Sequence, residues 1–121
     1  MPRIVHFNMA ADDIEQAIKF YGEVFGWSFE KWDGPVEYWL AKTGDEKEFG
    51  INGGLARKNP LNTGTVNTID VPSIDEFATK IRAMGGSCSP GMPIKGVGYF
   101  AHCTDPEGNR FDIIQVDKSA K

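Results

Sequence analysis

An internal repeat constrains this chain more than any single motif, because a repeated supersecondary unit largely fixes the fold. Residues 14–25 read Ile-Glu-Gln-Ala-Ile-Lys-Phe-Tyr-Gly-Glu-Val-Phe, and Ile14, Ala17, Ile18, Tyr21, Val24 and Phe25 fall on one helical face. Sixty residues on, Ile74, Phe77, Ala78, Ile81 and Met84 repeat the stripe, so five of its six positions coincide at one offset. Asp13 with Gln16 is an N-cap pair for the first helix, and Gly26 supplies its stop. Ser73 with Glu76 forms a capping box for the second, which Gly85-Gly86 ends. The expected helices cover 13–25 and 73–84.

The flanking segments repeat as well. Ile4–Met9 and Thr65–Val71 precede the two helices and read as strands. Three strand candidates follow each helix: Trp27–Trp32, Tyr38–Lys42 and Phe49–Gly53 in the first half, Ser87–Ser89, Tyr99–Cys103 and Arg110–Val116 in the second. Asp33-Gly34-Pro35, Thr43-Gly44-Asp45, Gly96-Val97-Gly98 and Asp105–Asn109 supply the turns between them. Each half is therefore an α+β unit of order βαβββ, about 3–55 and 65–117, joined by a linker at 56–64 that carries Asn59-Pro60-Leu61-Asn62. Units of about 60 residues bury little core alone, so the expectation is one domain over 1–121 in which the modules pair.

The tandem plan, His6 followed by Asp13-Ile14 and Phe20-Tyr21, then Phe25-Gly26-Trp27, and the terminal Asp105-Pro106-Glu107-Gly108-Asn109-Arg110-Phe111, resembles the vicinal oxygen chelate superfamily. Glyoxalase I, bleomycin-resistance proteins, fosfomycin-resistance enzymes and extradiol dioxygenases belong to it. The likeness spans about residues 3–117, and the Gly-Ile-Asn-Gly-Gly and Pro-Gly-Val-Gly-Tyr-Phe-like stretches are similar to those of its small glyoxalase-like members. The resemblance implies two βαβββ modules forming a half-open barrel of curved mixed sheets around a cavity, and a homodimer. It also implies that a metal, where present, takes ligands from the first and last strands of each module. At the helix offset His6 corresponds to Val66; aligning Phe49 with Phe111 makes Gly53 correspond to Gln115. Gly53 and Val66 carry no donor, and one imidazole with one amide, His6 and Gln115, is too poor a set for a catalytic metal.

The expected cavity is accordingly lined by His6, Gly53, Val66 and Gln115, with Asn8, Thr68, Trp39, Tyr99 and Phe100 nearby and Gln115 placed to hydrogen-bond His6. No cofactor is expected; the alternative is a divalent metal held through His6 and Gln115. His102 reads as a rim residue, Asp105 and Glu107 as turn residues, and Cys88 and Cys103 as inert thiols without a partner motif. Gly-Ile-Asn-Gly-Gly-Leu lacks the Lys-Ser/Thr pair and spacing of a phosphate loop. Thirteen Lys and Arg against 17 Asp and Glu give a formal net charge of −4, which offers nucleic acid no basic footprint. No apolar run approaches the roughly 20 residues of a membrane span, and the N-terminal residues lack the apolar core of a secretory signal, so a cytoplasmic protein is expected.

The function these features imply is that of a glyoxalase- or bleomycin-resistance-like protein binding a small organic molecule in a cavity, without a catalytic metal. The alternative is a metal-dependent lyase, isomerase or dioxygenase of the same superfamily acting on a small oxygenated metabolite. If the chain is an enzyme, the resemblance implies a glyoxalase-like lyase.

Overall fold

The computed structural model describes residues 2–121, whose contacts divide into two units, His6–Val66 and Asn67–Lys121 with the residues up to Val5. The helices begin where the caps dictate. In α1 (Ile14–Phe25) the Asp13 carboxylate accepts from the Gln16 N–H, and Gly26 closes the helix in the left-handed region at φ 76°. In α2 (Ile74–Ala83) the Ser73 hydroxyl accepts from the Glu76 N–H. Both helices match the expected stripes to within a residue of their ends.

The N-terminal unit is a four-stranded sheet of order β2-β3-β4-β1. It comprises β1 (Ile4–Ala11), β2 (Ser28–Lys31), β3 (Trp39–Lys42) and β4 (Gly53–Arg57). β1 and β4 run parallel with Phe7 opposite Gly53, Asn8 opposite Gly54 and Met9 opposite Leu55. β3 is antiparallel to β4, with Trp39 opposite Leu55. Because side chains alternate, Phe7, Met9, Trp39 and Leu55 share the face that α1 covers. There Met9, Ile14 and Leu55 are buried, with Ala17, Ile18, Tyr21, Trp27 and Phe29 packed around them.

The C-terminal unit repeats this plan with one addition. Its strands are β5 (Thr65–Asp70), β6 (Ser87–Cys88), β7 (Met92–Ile94), β8 (Gly98–Thr104) and β9 (Arg110–Val116). They are ordered β5-β9-β8-β6, with β7 also on β8. β5 and β9 are parallel, Ile69 opposite Ile113; β8 and β9 are antiparallel, Ala101 opposite Ile113. Val71, Ile74, Ala101, Cys103 and Ile113 form the buried cluster against α2, joined by Phe77, Ile81, Tyr99 and Phe111.

Three expectations are corrected. The last strand of the first module is Gly53–Arg57, not 49–53. Phe49 instead stands fully exposed in a loop that is held by the Glu48 N–H on the Asp45 carbonyl and by the Thr43 N–H on the Asn52 side chain. The strand starts at Gly53 because the rings of Phe7 and Tyr38 lie over the two glycines, and a Cβ at either would overlap them. Ala56 and Arg57 therefore belong to β4 rather than to the linker. Finally, Met92–Ile94 pairs with β8 as a strand, where the sequence pattern suggests only a loop. Among the described residues, no helix is long and apolar enough to cross a membrane.

Candidate functional site

On β1 the residues that alternate with the buried ones are His6 and Asn8, which face away from α1. Tyr38, one residue before β3, reaches the same face. Its hydroxyl donates to Asn8 Oδ1 at 2.5 Å and lies 2.7 Å from His6 Nε2. The phenol thus bridges the Asn8 amide and the His6 ring. Gly54 is opposite Asn8, and its missing side chain is the space that the Tyr38 hydroxyl occupies. His6 also borders an open groove of about 1100 Å³ that lies wholly within the N-terminal unit. Ser28, Glu30, Leu40 and Lys42 line it on the sheet, and the charged loop 44–48 closes one side.

The C-terminal unit carries a different polar set on the face away from α2. Thr68 is opposite Asp112 on β9, and Asp112 is opposite His102 on β8, so the three side chains form a row across adjacent strands. Asp112 Oδ1 accepts from His102 Nδ1 at 2.8 Å. That bond puts the proton on Nδ1 and leaves Nε2 as the basic atom of the neutral imidazole. The Asp112 side chain is 14% exposed and that of His102 28%, which limits solvent screening of the pair. The ring of Phe100 meets His102 edge-on at 5.2 Å, and the His102 backbone N–H is held by Ser89 Oγ.

Of the nine residues expected at the site, alternation places His6, Asn8, Val66, Thr68 and Phe100 on the faces away from the helices. It places Trp39, Gly53, Tyr99 and Gln115 on the helix-covered faces. Trp39 and Tyr99 pack into the two cores, and Trp39 Nε1 is buried with no hydrogen-bond partner among the described residues. Gly53 lies under the Phe7 ring. Gln115 Oε1 accepts from the Ile74 N–H at 2.9 Å, and His6 Nε2 lies 2.7 Å from the Tyr38 hydroxyl.

The register also corrects the alignment of the two modules. Phe7 pairs with Gly53 and its repeat mate Asn67 pairs with Phe111, so Gly53 stands in the place of Phe111, Gly54 in that of Asp112 and Arg57 in that of Gln115. Aligning Phe49 with Phe111 was therefore incorrect. Gly54 and Asp112 are absent from the expected cavity, while His102 is expected only at its rim and Tyr38 only on a strand that flanks it. The signal available was alternation along Arg110–Val116: with Ile113 inward, Asp112 must face the other way and Gln115 must not.

A divalent metal can be tested against these positions. In the N-terminal unit the outward positions of the first and last strands are His6 and Gly54; in the C-terminal unit they are Val66 and Asp112. In each unit by itself one of the two positions is without a donor side chain, and the other is engaged, His6 by Tyr38 and Asp112 by His102. Among the described residues, no three His, Cys, Asp or Glu side chains are grouped to hold an ion. Neither unit by itself supplies the donor set of a glyoxalase-type metal.

The family model described as Glyoxalase/Bleomycin resistance protein/Dioxygenase superfamily matches residues 3–113. The chain belongs to this superfamily. A probable lactoylglutathione lyase of Vibrio cholerae is 30% identical, over 93% of this chain and 90% of that protein. Among solved structures, a hypothetical protein from Bacillus halodurans superposes with a TM-score of 0.72 at 13% identity, covering 99% of this chain and 98% of that one. Streptomyces coelicolor methylmalonyl-CoA epimerase in complex with 2-nitronate-propionyl-CoA superposes at 0.70 and 16% identity, covering 98% and 97%. At these identities the two structures establish the glyoxalase-like fold of the superfamily member.

Proposed function

We propose that this superfamily member binds a small organic molecule in the groove of its N-terminal unit and does so without a glyoxalase-type metal. The observation that carries the reading is the His6–Tyr38–Asn8 network beside that groove. Of the three, His6 lines a space large enough for a metabolite, held from behind by Tyr38, which bonds Asn8, and apolar surface from Leu40 lies on the same wall. His6 presents a hydrogen-bonding imidazole, and Glu30 and Lys42 offer charges of both signs. An oxygenated ligand with one hydrogen-bonding end and one apolar end suits this wall.

The test is a thermal-shift screen of wild type and His6→Ala against a metabolite library, with Zn, Ni and Mn as separate additions. A ligand at 100 times its dissociation constant stabilises by about 2.7 kcal/mol, a readily measured shift. Hits should stabilise wild type more than His6→Ala, and the metals should leave both midpoints unchanged. Equal stabilisation of the two proteins sinks the site, and a metal-induced rise that depends on His6 sinks the metal-free reading.

One observation favours a second reading, that of an acid–base enzyme. His102 is oriented by a largely buried carboxylate, the arrangement by which a histidine is held as a proton acceptor. Assays for lactoylglutathione lyase and methylmalonyl-CoA epimerase activity, in wild type and His102→Gln, address it; turnover abolished by the substitution would establish it, and no turnover in wild type removes those two reactions.

Self-association belongs to the same proposal. Phe20 is 53% and Phe25 60% exposed on α1, in ring contact with each other and with Tyr21. A homodimer would cover this aromatic surface. Sedimentation equilibrium giving a concentration-independent mass of 13.4 kDa would refute it.

A further inference from the structure

The chain has two cysteines, and nothing in their sequence context pairs them. The fold does. β6 lies antiparallel to β8 with Ser87 opposite Thr104 and Cys88 opposite Cys103. One step along, the Ser89 N–H donates to the His102 carbonyl at 2.8 Å. That bond makes Cys88 and Cys103 a non-hydrogen-bonded cross-strand pair, the narrower kind, whose Cα atoms lie about 4.5 Å apart. Disulfides span about 4.4–6.8 Å between Cα atoms, so no backbone movement is needed to join such a pair. Both side chains point toward α2, where Cys103 is buried in the cluster with Val71, Ile74 and Ile113, and Cys88 packs against it half-buried. Burial first, and then the neighbouring Cys88 side chain, push the Cys103 thiol well above its usual range.

We propose that Cys88 and Cys103 are an oxidative modification site, closing into a reversible disulfide that clamps β6 to β8. The oxidant is a low-molecular-weight dialkyl disulfide. Cys88, the more accessible thiol, loses its proton and attacks one sulfur of the reagent; a protein–reagent disulfide forms, the reagent's S–S bond breaks, and one small thiol leaves. Cys103 then loses its proton and attacks Cys88 Sγ, displacing the second small thiol. The protein gives up two electrons and two protons, and the reagent takes both to become two thiols. The high proton affinity of Cys103 slows the second step, and in a reducing compartment such a bridge is transient. The clamp also bears on the face that holds His102, because Ser89 and His102 are the next residues along these strands and Ser89 Oγ holds the His102 N–H.

The test uses the full chain equilibrated in graded ratios of reduced to oxidised glutathione, quenched with acid and read by intact mass, thiol titration and non-reducing peptide mapping. The expected result is loss of two titratable thiols, a mass lower by two hydrogens, a single Cys88–Cys103 linked peptide, and a Tm raised by at least about 5 °C that dithiothreitol reverses. Cys103→Ser should instead trap one glutathione on Cys88, since the resolving thiol is gone. Wild type that ends as a stable glutathione adduct, as an intermolecular dimer or with both thiols titratable under fully oxidising conditions overturns the site. A bridge that leaves Tm unchanged overturns the clamp. The wild-type readouts stand even if the serine variant fails to fold.

Discussion

Gln115 separates two readings of this chain, and replacing it decides between them. If it were a ligand-donating residue of a cavity, its removal would alter ligand binding and spare the fold. In the structure it caps a helix instead, its Oε1 accepting from the N–H of Ile74, the first residue of α2. The first four N–H groups of a helix have no partner within it. Ser73 takes the Glu76 N–H, and Gln115 takes that of Ile74, a residue 4% exposed. Water cannot readily replace the amide there, so Gln115→Leu leaves a buried donor unpaired at a cost of about 1–3 kcal/mol. An unfolding entropy of about 2 cal/mol/K per residue makes each kcal/mol worth roughly 4 °C in a chain of 121 residues. The expected fall in Tm is therefore about 4–12 °C.

Gln115→Glu is the control. It keeps an acceptor and puts a carboxylate at the helix N-terminus, worth about 0.3–1 kcal/mol, but it joins Asp75 and Glu76, already in the first turn. The two effects offset, and the glutamate variant should melt near wild type. Calorimetric or far-ultraviolet melts of the three proteins at neutral pH check this. Gln115→Leu melting within about 1 °C of wild type would refute the capping role, as would an equal loss in both variants.

Other perturbations are as specific. Tyr38→Phe removes the hydroxyl shared by His6 and Asn8; it should cost about 1 kcal/mol in urea denaturation and weaken any ligand response that depends on His6, and unchanged ligand response would refute the network's role. Ile113→Ala, at a position 2% exposed in the C-terminal core, should cost about 2–5 kcal/mol, and a loss below about 1 kcal/mol would show that the cluster tolerates collapse. The Asp105 carboxylate accepts from the Asn109 side chain and from the backbone N–H groups of Asn109 and Glu107, which hold it below the usual carboxylate range. A depressed folded-state pKa stabilises above the unfolded value of about 3.9 and is lost as pH falls through it toward the folded value. The urea midpoints of wild type and Asp105→Asn should thus converge between about pH 5 and pH 3, and a gap that stays constant would exclude the linkage.

The legible parts of this fold are those whose signal is local. Both helices are readable because the apolar spacing, the caps Asp13 and Ser73, and the stop at Gly26 all lie within a few residues of one another. The last strand of the first module is not readable that way. Gly53 and Gly54 have no side chains to mark a strand, and their place is set by Phe7 and Tyr38, which are distant in sequence. Phe49 and Ile51 offered a better local pattern and drew the boundary four residues early. The Cys88–Cys103 juxtaposition is likewise a property of the β6–β8 register and has no local trace. At the site the difficulty is parity: Asp112 and Gln115 are three residues apart on one strand, so they face opposite ways, and the four-residue error in aligning the modules, being even, gives no sign of it.

Once the register is fixed, the repeat exposes how the two units diverged. Ala41 is opposite Gly53 as Cys103 is opposite Phe111, which equates Leu40 with His102, Tyr38 with Phe100 and Gly54 with Asp112. The exchanges are coupled by space. In the N-terminal unit the phenol of Tyr38 fills the volume above Gly54, so a carboxylate at position 54 could not coexist with it. In the C-terminal unit the ring at the Tyr38 position has no hydroxyl: Phe100 turns its edge to His102, and the Asp112 carboxylate takes the polar role across the strand. Each unit therefore carries one histidine network built from different positions of the same scaffold. The N-terminal network engages His6 through Nε2 and a phenol, the C-terminal one engages His102 through Nδ1 and a carboxylate. A substitution that restored a donor at Gly54 would have to expel Tyr38 first, so the Tyr38–Gly54 pair itself excludes a carboxylate ligand from the N-terminal unit's last strand.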